Sequence, residues 1–156
     1  MDVNAVIQKP TEEEIAQALA QKFPCVQVTK TATRRVSAKV PKEHIFAVCK
    51  YIHDNLTFEH CSIVMGIDYV DHMSTVYVLT NYYTGTALEL TCDIPNDDLH
   101  IDSVTPIWEG ANWHERETWE LFGIVFDNHP KLERLLTPKT YEFFPFRKSY
   151  KLRGWE

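Results

Sequence analysis

The run NWHERETWELFGIVFDNHP, residues 112–130, constrains this chain more than any other stretch. Nowhere else are aromatic, acidic and basic side chains mixed so closely. Asn112 followed by Glu115 has the form of a capping box, which predicts a helix starting at Trp113. Gly123 suits the left-handed residue that ends a helix, because it has no Cβ to clash. Ile124, Val125 and Phe126 then run into Asp127–Pro130, a turn. Proline cannot continue a helix, and it biases His129 to an extended backbone.

That helix is unusual in its furnishing. At roughly 100° per residue, Thr118, Leu121 and Phe122 share one arc, with Glu115 and Trp119 beside it. Trp113, Arg116, Glu117 and Glu120 spread over the other side. Arg116 and Glu120 stand four apart and are expected to pair, worth a few tenths of a kcal/mol on a surface. One reading is a surface helix capped by Glu115 and laced with ion pairs. The other is a helix with two occupied faces, one in its own core and one against a partner.

The same residues resemble the signature of the thirty-kilodalton subunit of respiratory complex I, its C-type subunit. That signature runs Trp, aromatic, Glu-Arg-Glu, a variable residue, an aromatic, Asp, two apolar residues, Gly-Ile, and ends on His-Pro. Here Trp113, Glu115, Arg116, Glu117, Trp119, Gly123, His129 and Pro130 occupy its positions. The family continues with a Leu, a basic position and two apolar residues, matched by Leu132, Arg134, Leu135 and Leu136. It closes on Pro, apolar, Arg, Lys, matched by Pro145, Phe146, Arg147 and Lys148. The likeness spans about 103–150 and includes Ser103, Val104 and Thr105 ahead of the helix. It departs at Glu120, where Asp is usual, at Phe143, where Gly is common, and at Ser149, where Asp is usual.

The resemblance implies a non-catalytic subunit in the hydrophilic arm of a complex I-like, membrane-bound oxidoreductase. Such an assembly passes electrons from NADH or a reduced deazaflavin to a quinone-like acceptor and couples this to ion translocation. The chain would pack beside the large quinone-site subunit, related to hydrogenase large subunits, and near iron–sulfur subunits. Iron–sulfur clusters and flavin would belong to those partners, with none held here. The matched residues would form the subunit interface, at the cytoplasmic face of the membrane. An energy-converting hydrogenase is the alternative parent, and the end of the chain soon after Lys148 leans toward an archaeal or hydrogenase-like setting. A free-standing small enzyme using the Glu115-Arg116-Glu117 helix is the competing reading.

Composition limits the remaining classes. A chain of 156 residues with 44% hydrophobic and 24% charged residues is expected to fold as one globular domain. Its net charge of −6 argues against a nucleic-acid groove, which needs a basic face. Cys25, Cys49, Cys61 and Cys92 form no CxxC pair, so an intrachain zinc or iron–sulfur site is not expected. The polar, acidic start lacks a signal-peptide pattern, which favours a reducing compartment and free thiols. No apolar run reaches the ~20 residues needed to span a bilayer, so membrane contact would come through other subunits.

Enzyme signatures are weak. Glu115, Glu117 and Glu120 invite an acid–base reading, but the sequence shows neither a pocket nor perturbed ionisation. His114-Glu115 opens like the zinc-protease motif, yet Thr118 stands where the second histidine belongs. No grouped glycines could cradle a phosphate, and no nucleophile elbow occurs.

Along the rest of the chain, residues 1–10 read as a frayed arm. Thr11 with Glu14 predicts a capped helix to Phe23. Val26–Val28 and Arg35–Val40 alternate as strands, joined by polar Thr29–Arg34. Pro41 opens a second helix with the stripe Ile45, Val48, Cys49, Ile52 and Leu56. Cys61–Val70, Thr75–Thr80 and Ala87–Cys92 predict an antiparallel meander, with turns at Asp71-His72 and Tyr82–Gly85. Asp93–His100 reads as a loop, Ile101–Thr105 as a short strand, and Pro106–Gly110 as one helical turn that breaks at Gly110. The expected fold is α+β, a mostly antiparallel sheet with helices on one face, in a domain over 1–140. An extended, aromatic and basic tail over 141–156 follows, read as an interaction segment.

Overall fold

The computed structural model describes residues 10–152. The expected arm at 1–9, and Arg153 and Trp155 of the tail, lie outside them. Helix α1 (Glu12–Lys22) carries the expected capping box: the Glu14 amide donates to Thr11 Oγ1 at 3.2 Å, and the Thr11 amide to Glu14 Oε2 at 2.8 Å. Strands β1 (Gln27–Ala32) and β2 (Arg35–Lys39) follow. The connector is therefore shorter than Thr29–Arg34, because threonine-rich backbone continues the β1–β2 ladder until Arg34 takes φ 57°. A single 3-10 turn at Lys42–His44 leads into α2 (Ile45–Leu56), whose five stripe residues are all buried.

Strands β3 (His60–Asp68), β4 (His72–Thr80) and β5 (Ala87–Pro95) form the expected antiparallel meander. The first turn lies ahead of His72, which already pairs with Pro95. Strand β5 also runs further than Cys92, into the stretch read as a loop; proline is tolerated at its last position, where no further ladder bond is needed. The five-stranded sheet has order β1-β2-β5-β4-β3, and only the β2–β5 pair is parallel. Its β5 alternates cleanly: Leu88, Leu90, Cys92 and Ile94 are buried, while Glu89, Thr91 and Asp93 are more open. The three helices contribute Ile15, Leu19, Val48, Ile52 and Ala111 to the core above that face.

Strand β6 (His100–Asp102) pairs in parallel with β7 (Val125–Asp127), and α3 (Ala111–Phe122) lies between them in sequence. β6 stops at Asp102 because Ser103–Thr105 turn away to a side chain of α3. From Asn128 to Leu152 the chain forms turns and irregular segments, with neither helix nor strand. All four cysteines are free thiols, and Cys49, Cys61 and Cys92 are buried in the core.

Candidate functional site

Helix α3 begins two residues earlier than expected. Gly110 has helical dihedrals, φ −61° and ψ −23°, and the Ala111 amide bonds the Trp108 carbonyl. The turn at 106–110 thus feeds directly into the helix, with no break at Gly110 and no side-chain cap from Asn112. Glu115 is consequently not a capping residue.

Instead its carboxyl is wholly buried. Ser103 Oγ donates to Glu115 Oε2 at 2.5 Å, the Val104 amide to Oε1 at 2.7 Å, and Thr105 Oγ1 to Oε2 at 3.0 Å. Burial pushes its pKa up to about 7, against the pull of those donors, which favour the ionised form. Arg134, the basic position of the motif, is turned to other groups: it stacks over Trp119 at 5.5 Å and Tyr141 at 5.8 Å and donates to Thr137 Oγ1. The neighbour of Glu115 is His129, whose side chain is also fully buried, with Nε2 3.9 Å from Oε2.

Glu120, expected on the outer side and paired with Arg116, is buried too. It accepts the amides of Leu135 at 2.9 Å and Leu136 at 2.8 Å, and the Thr137 hydroxyl at 3.2 Å. Arg116 donates from Nε to the Glu133 carbonyl at 2.8 Å. The pair fails to form because the 131–137 segment crosses over both side chains and offers them backbone groups. Thr118 completes the set, donating to the Val64 carbonyl of β3 at 3.3 Å.

Close approach of α3 to the sheet depends on a residue that sequence reasoning passed over. A Cβ at Gly66 on β3 would sit 2.8 Å from the Phe122 ring. At the other end, Gly123 has φ 81° and closes α3 by donating to Trp119, as expected. Here the tail folds back. Arg147 donates from Nε to the Phe122 carbonyl at 2.5 Å and lies 4.4 Å above the Phe144 ring. The Phe146 amide bonds Leu121, and the Lys148 amide bonds Asp68 at 2.8 Å. Although partial burial opposes ionisation of Asp68, the Lys148 and Val70 amides hold its carboxyl below the usual range.

The motif residues thus gather around α3. Glu115, Trp119, Gly123, His129, Arg134 and Arg147 take part in contacts within the chain. Trp113 projects from the helix, 65% exposed, with Glu117 and Pro145 half-buried and Pro130 open. Ser103 and Thr105 are the partners that local sequence did not link to Glu115; hydroxyls two apart, ahead of a helix bearing a motif carboxylate, were the available signal.

Residues 38–156 match the family described as the respiratory-chain NADH dehydrogenase 30 kDa subunit. The chain belongs to that family. A relative from Salinispora arenicola, the C subunit of an NADH-quinone oxidoreductase, is 36% identical over 152 residues, covering 91% of this chain and 62% of that protein. Another, the C subunit of the Methanosarcina mazei F(420)H(2) dehydrogenase, is also 36% identical and covers 88% of this chain and 96% of that protein. The chain therefore spans about three-fifths of the length of some curated relatives and nearly all of another. Among solved structures, a trypsin-resistant fragment of Nqo5 superposes with TM-score 0.62 at 26% identity, covering 78% of this chain and 98% of that one. A chain of an archaeal membrane-bound sulfane sulfur reductase superposes with TM-score 0.81 at 23% identity, covering 92% and 87%, and shares the fold. No helix among the described residues is long and apolar enough to cross a membrane.

Proposed function

We propose that this member of the 30 kDa family is a non-catalytic, peripheral subunit of a complex I-like oxidoreductase on the cytoplasmic face of a membrane. The assembly takes electrons from NADH or a reduced deazaflavin to a quinone-like acceptor and couples this to ion translocation. The observation that carries the reading is how α3 spends its polar groups. Glu115 and Glu120, the carboxylates that invite a catalytic role, are both buried and hold backbone amides of the chain itself. Among the side chains the same region turns outward are four large apolar ones, Trp113, Leu136, Phe143 and Phe146, set among charged residues such as Lys139 and Lys148. Large exposed aromatics beside cationic groups are the anchors of protein interfaces.

On this reading Trp113, Glu117, Pro130, Pro145 and Lys148 contribute to the contact with the large quinone-site subunit and neighbouring iron–sulfur subunits. Those partners carry the flavin and clusters. Membrane contact is indirect, and nucleic acid is not a partner.

Co-purification tests the assignment. A tagged chain expressed in its native host should bring down a hydrogenase-like large subunit and iron–sulfur subunits. Trp113→Ala should reduce their recovery while leaving the circular dichroism of the isolated chain unchanged. The isolated chain should show no stoichiometric iron, zinc, nickel or flavin. A tightly bound redox centre, or a chain that purifies without companions, would contradict the proposal.

A further inference from the structure

The Glu115 and His129 pair poses a question of proton placement. Among the described residues, His129 is the only group of opposite potential charge within ion-pair reach of Glu115. Two other contacts assign the imidazole. Its Nδ1 accepts the Lys131 amide at 3.0 Å, and its Nε2 lies 3.3 Å from the Asn112 carbonyl. A nitrogen that accepts an N–H carries no proton, and one that faces a carbonyl carries one. The closed turn therefore holds a neutral imidazole, and a second proton on Nδ1 would collide with the Lys131 N–H.

The surrounding groups offer Glu115 no other charge. Cys49 from α2, Cys61 from β3 and Tyr77 from β4 lie near enough to feel it, and burial pushes all three upward and keeps them neutral. Arg116, next along α3, is turned to Glu133. A buried carboxylate without a counter-charge is costly, and protonation removes the cost. The Ser103 and Thr105 hydroxyls can rotate to accept from a Glu115 O–H as readily as they donate to its carboxylate.

We propose that Glu115 and His129 form a reciprocal proton pair across the turn that follows β7. With the 129–131 turn closed, the proton resides on the Glu115 carboxyl and the imidazole is neutral. When the turn opens to water, the carboxyl is ionised and the proton resides on the imidazole. Between about pH 5 and about 6.5 the proton count is the same on both sides, so in that range the joint stays closed with little regard to pH. Backbone geometry sets the hinge: Asn128, at φ 61°, and exposed Pro130 flank the histidine and place it there.

Opening gains no proton only while both partners are present. Burial raises Glu115 from 4.5 to about 7, and it lowers His129 from 6.5. In Glu115→Gln the closed turn keeps a neutral imidazole and the open turn takes up a proton. Opening then rises as pH falls below 6.5, for as long as the closed imidazole stays neutral. In His129→Gln the closed turn keeps a protonated carboxyl and the open turn loses it. Opening then rises about tenfold per pH unit as pH climbs from 4.5 to about 7.

Amide hydrogen exchange of Lys131 in the full-length chain reads this directly, once corrected for the intrinsic exchange rate. The proposal predicts a flat profile from about pH 5 to about 6.5 for the native chain and slopes of opposite sign for the two variants, about tenfold per unit for His129→Gln. Nitrogen-15 shifts of His129 should show an unprotonated Nδ1 at about pH 6. An imidazolium at that pH, or the same slope in all three proteins, would overturn it. Should one variant fail to fold, the other slope and the native imidazole shift still decide.

Discussion

Helices α2 and α3 have the same length and sit in the same domain, yet they are held in opposite ways. Helix α2 buries Ile45, Val48, Cys49, Ile52 and Leu56, an apolar stripe against an apolar sheet face. Helix α3 buries Ala111, Glu115, Thr118 and Glu120. Three of those four are polar, and each finds its partners in loop or strand groups distant in sequence. Non-directional burial needs only the right volume, whereas a buried carboxylate needs each donor in place. A helix of the first kind is set by its own periodicity. A helix of the second kind is set by the loops it gathers.

The largest expected effect comes from removing the anchor whose partners are themselves buried. Glu115→Ala leaves the Val104 amide without its acceptor and the Ser103 and Thr105 hydroxyls facing a cavity, at a cost on the order of 3 kcal/mol or more. Thermal and denaturant melts measure it. A loss no greater than that of an exposed residue would erase the contrast between the two helices.

Next in size is the pH dependence. Glu115 binds its proton more tightly folded than unfolded, so its contribution is full below pH 4.5 and is lost as pH rises through about 7. His129 acts in the opposite sense and is present in both native and Glu115→Gln proteins, so their difference isolates Glu115. The native chain should lose stability relative to Glu115→Gln by on the order of a few kcal/mol between those limits. Melting temperatures of both proteins across the range check the sign.

Gly123→Ala should cost about 1–2 kcal/mol from the left-handed backbone, with a further loss from contact with the tail. A Cβ there would run into the Arg147 guanidinium and the Phe144 ring. Deleting 141–156 from the variant separates the two contributions: if the tail contact matters, the penalty falls when the tail is absent.

The smallest effects serve as controls on each helix. Ile52→Val in α2 should cost about 1 kcal/mol, since a core of this kind tolerates conservative apolar change. Glu117→Gln, half-buried on α3, should change the melt by less than about 0.5 kcal/mol. A large Glu117 effect would mean that α3 is anchored on a side where no anchor is seen.

The contrast also explains what the sequence made legible. The α2 stripe, the α1 capping box, the β3–β5 meander and the stop at Gly123 follow from local periodicity and local backbone demands. The roles of Glu115 and Glu120 do not. Asn112 and Glu115 have capping-box spacing, and Arg116 and Glu120 have ion-pair spacing, so local rules proposed plausible neighbours for both carboxylates. Tertiary donors won: Ser103–Thr105 supply three hydrogen bonds to one, and Leu135–Thr137 bury the other. The family motif marked these residues as special without saying what they touch. Gly66 carried no local signal, because its need for a missing side chain arises only when Phe122 lands on it.

Each buried carboxyl group of α3 holds its own loop. Amide hydrogen exchange of Glu120→Ala tests it most directly. Leu135 and Leu136, whose amides bond Glu120 at 2.9 and 2.8 Å, should lose protection, while Val104, bonded to Glu115, keeps it. Uniform loss at all three amides, or retained protection at Leu135 and Leu136, would contradict the account.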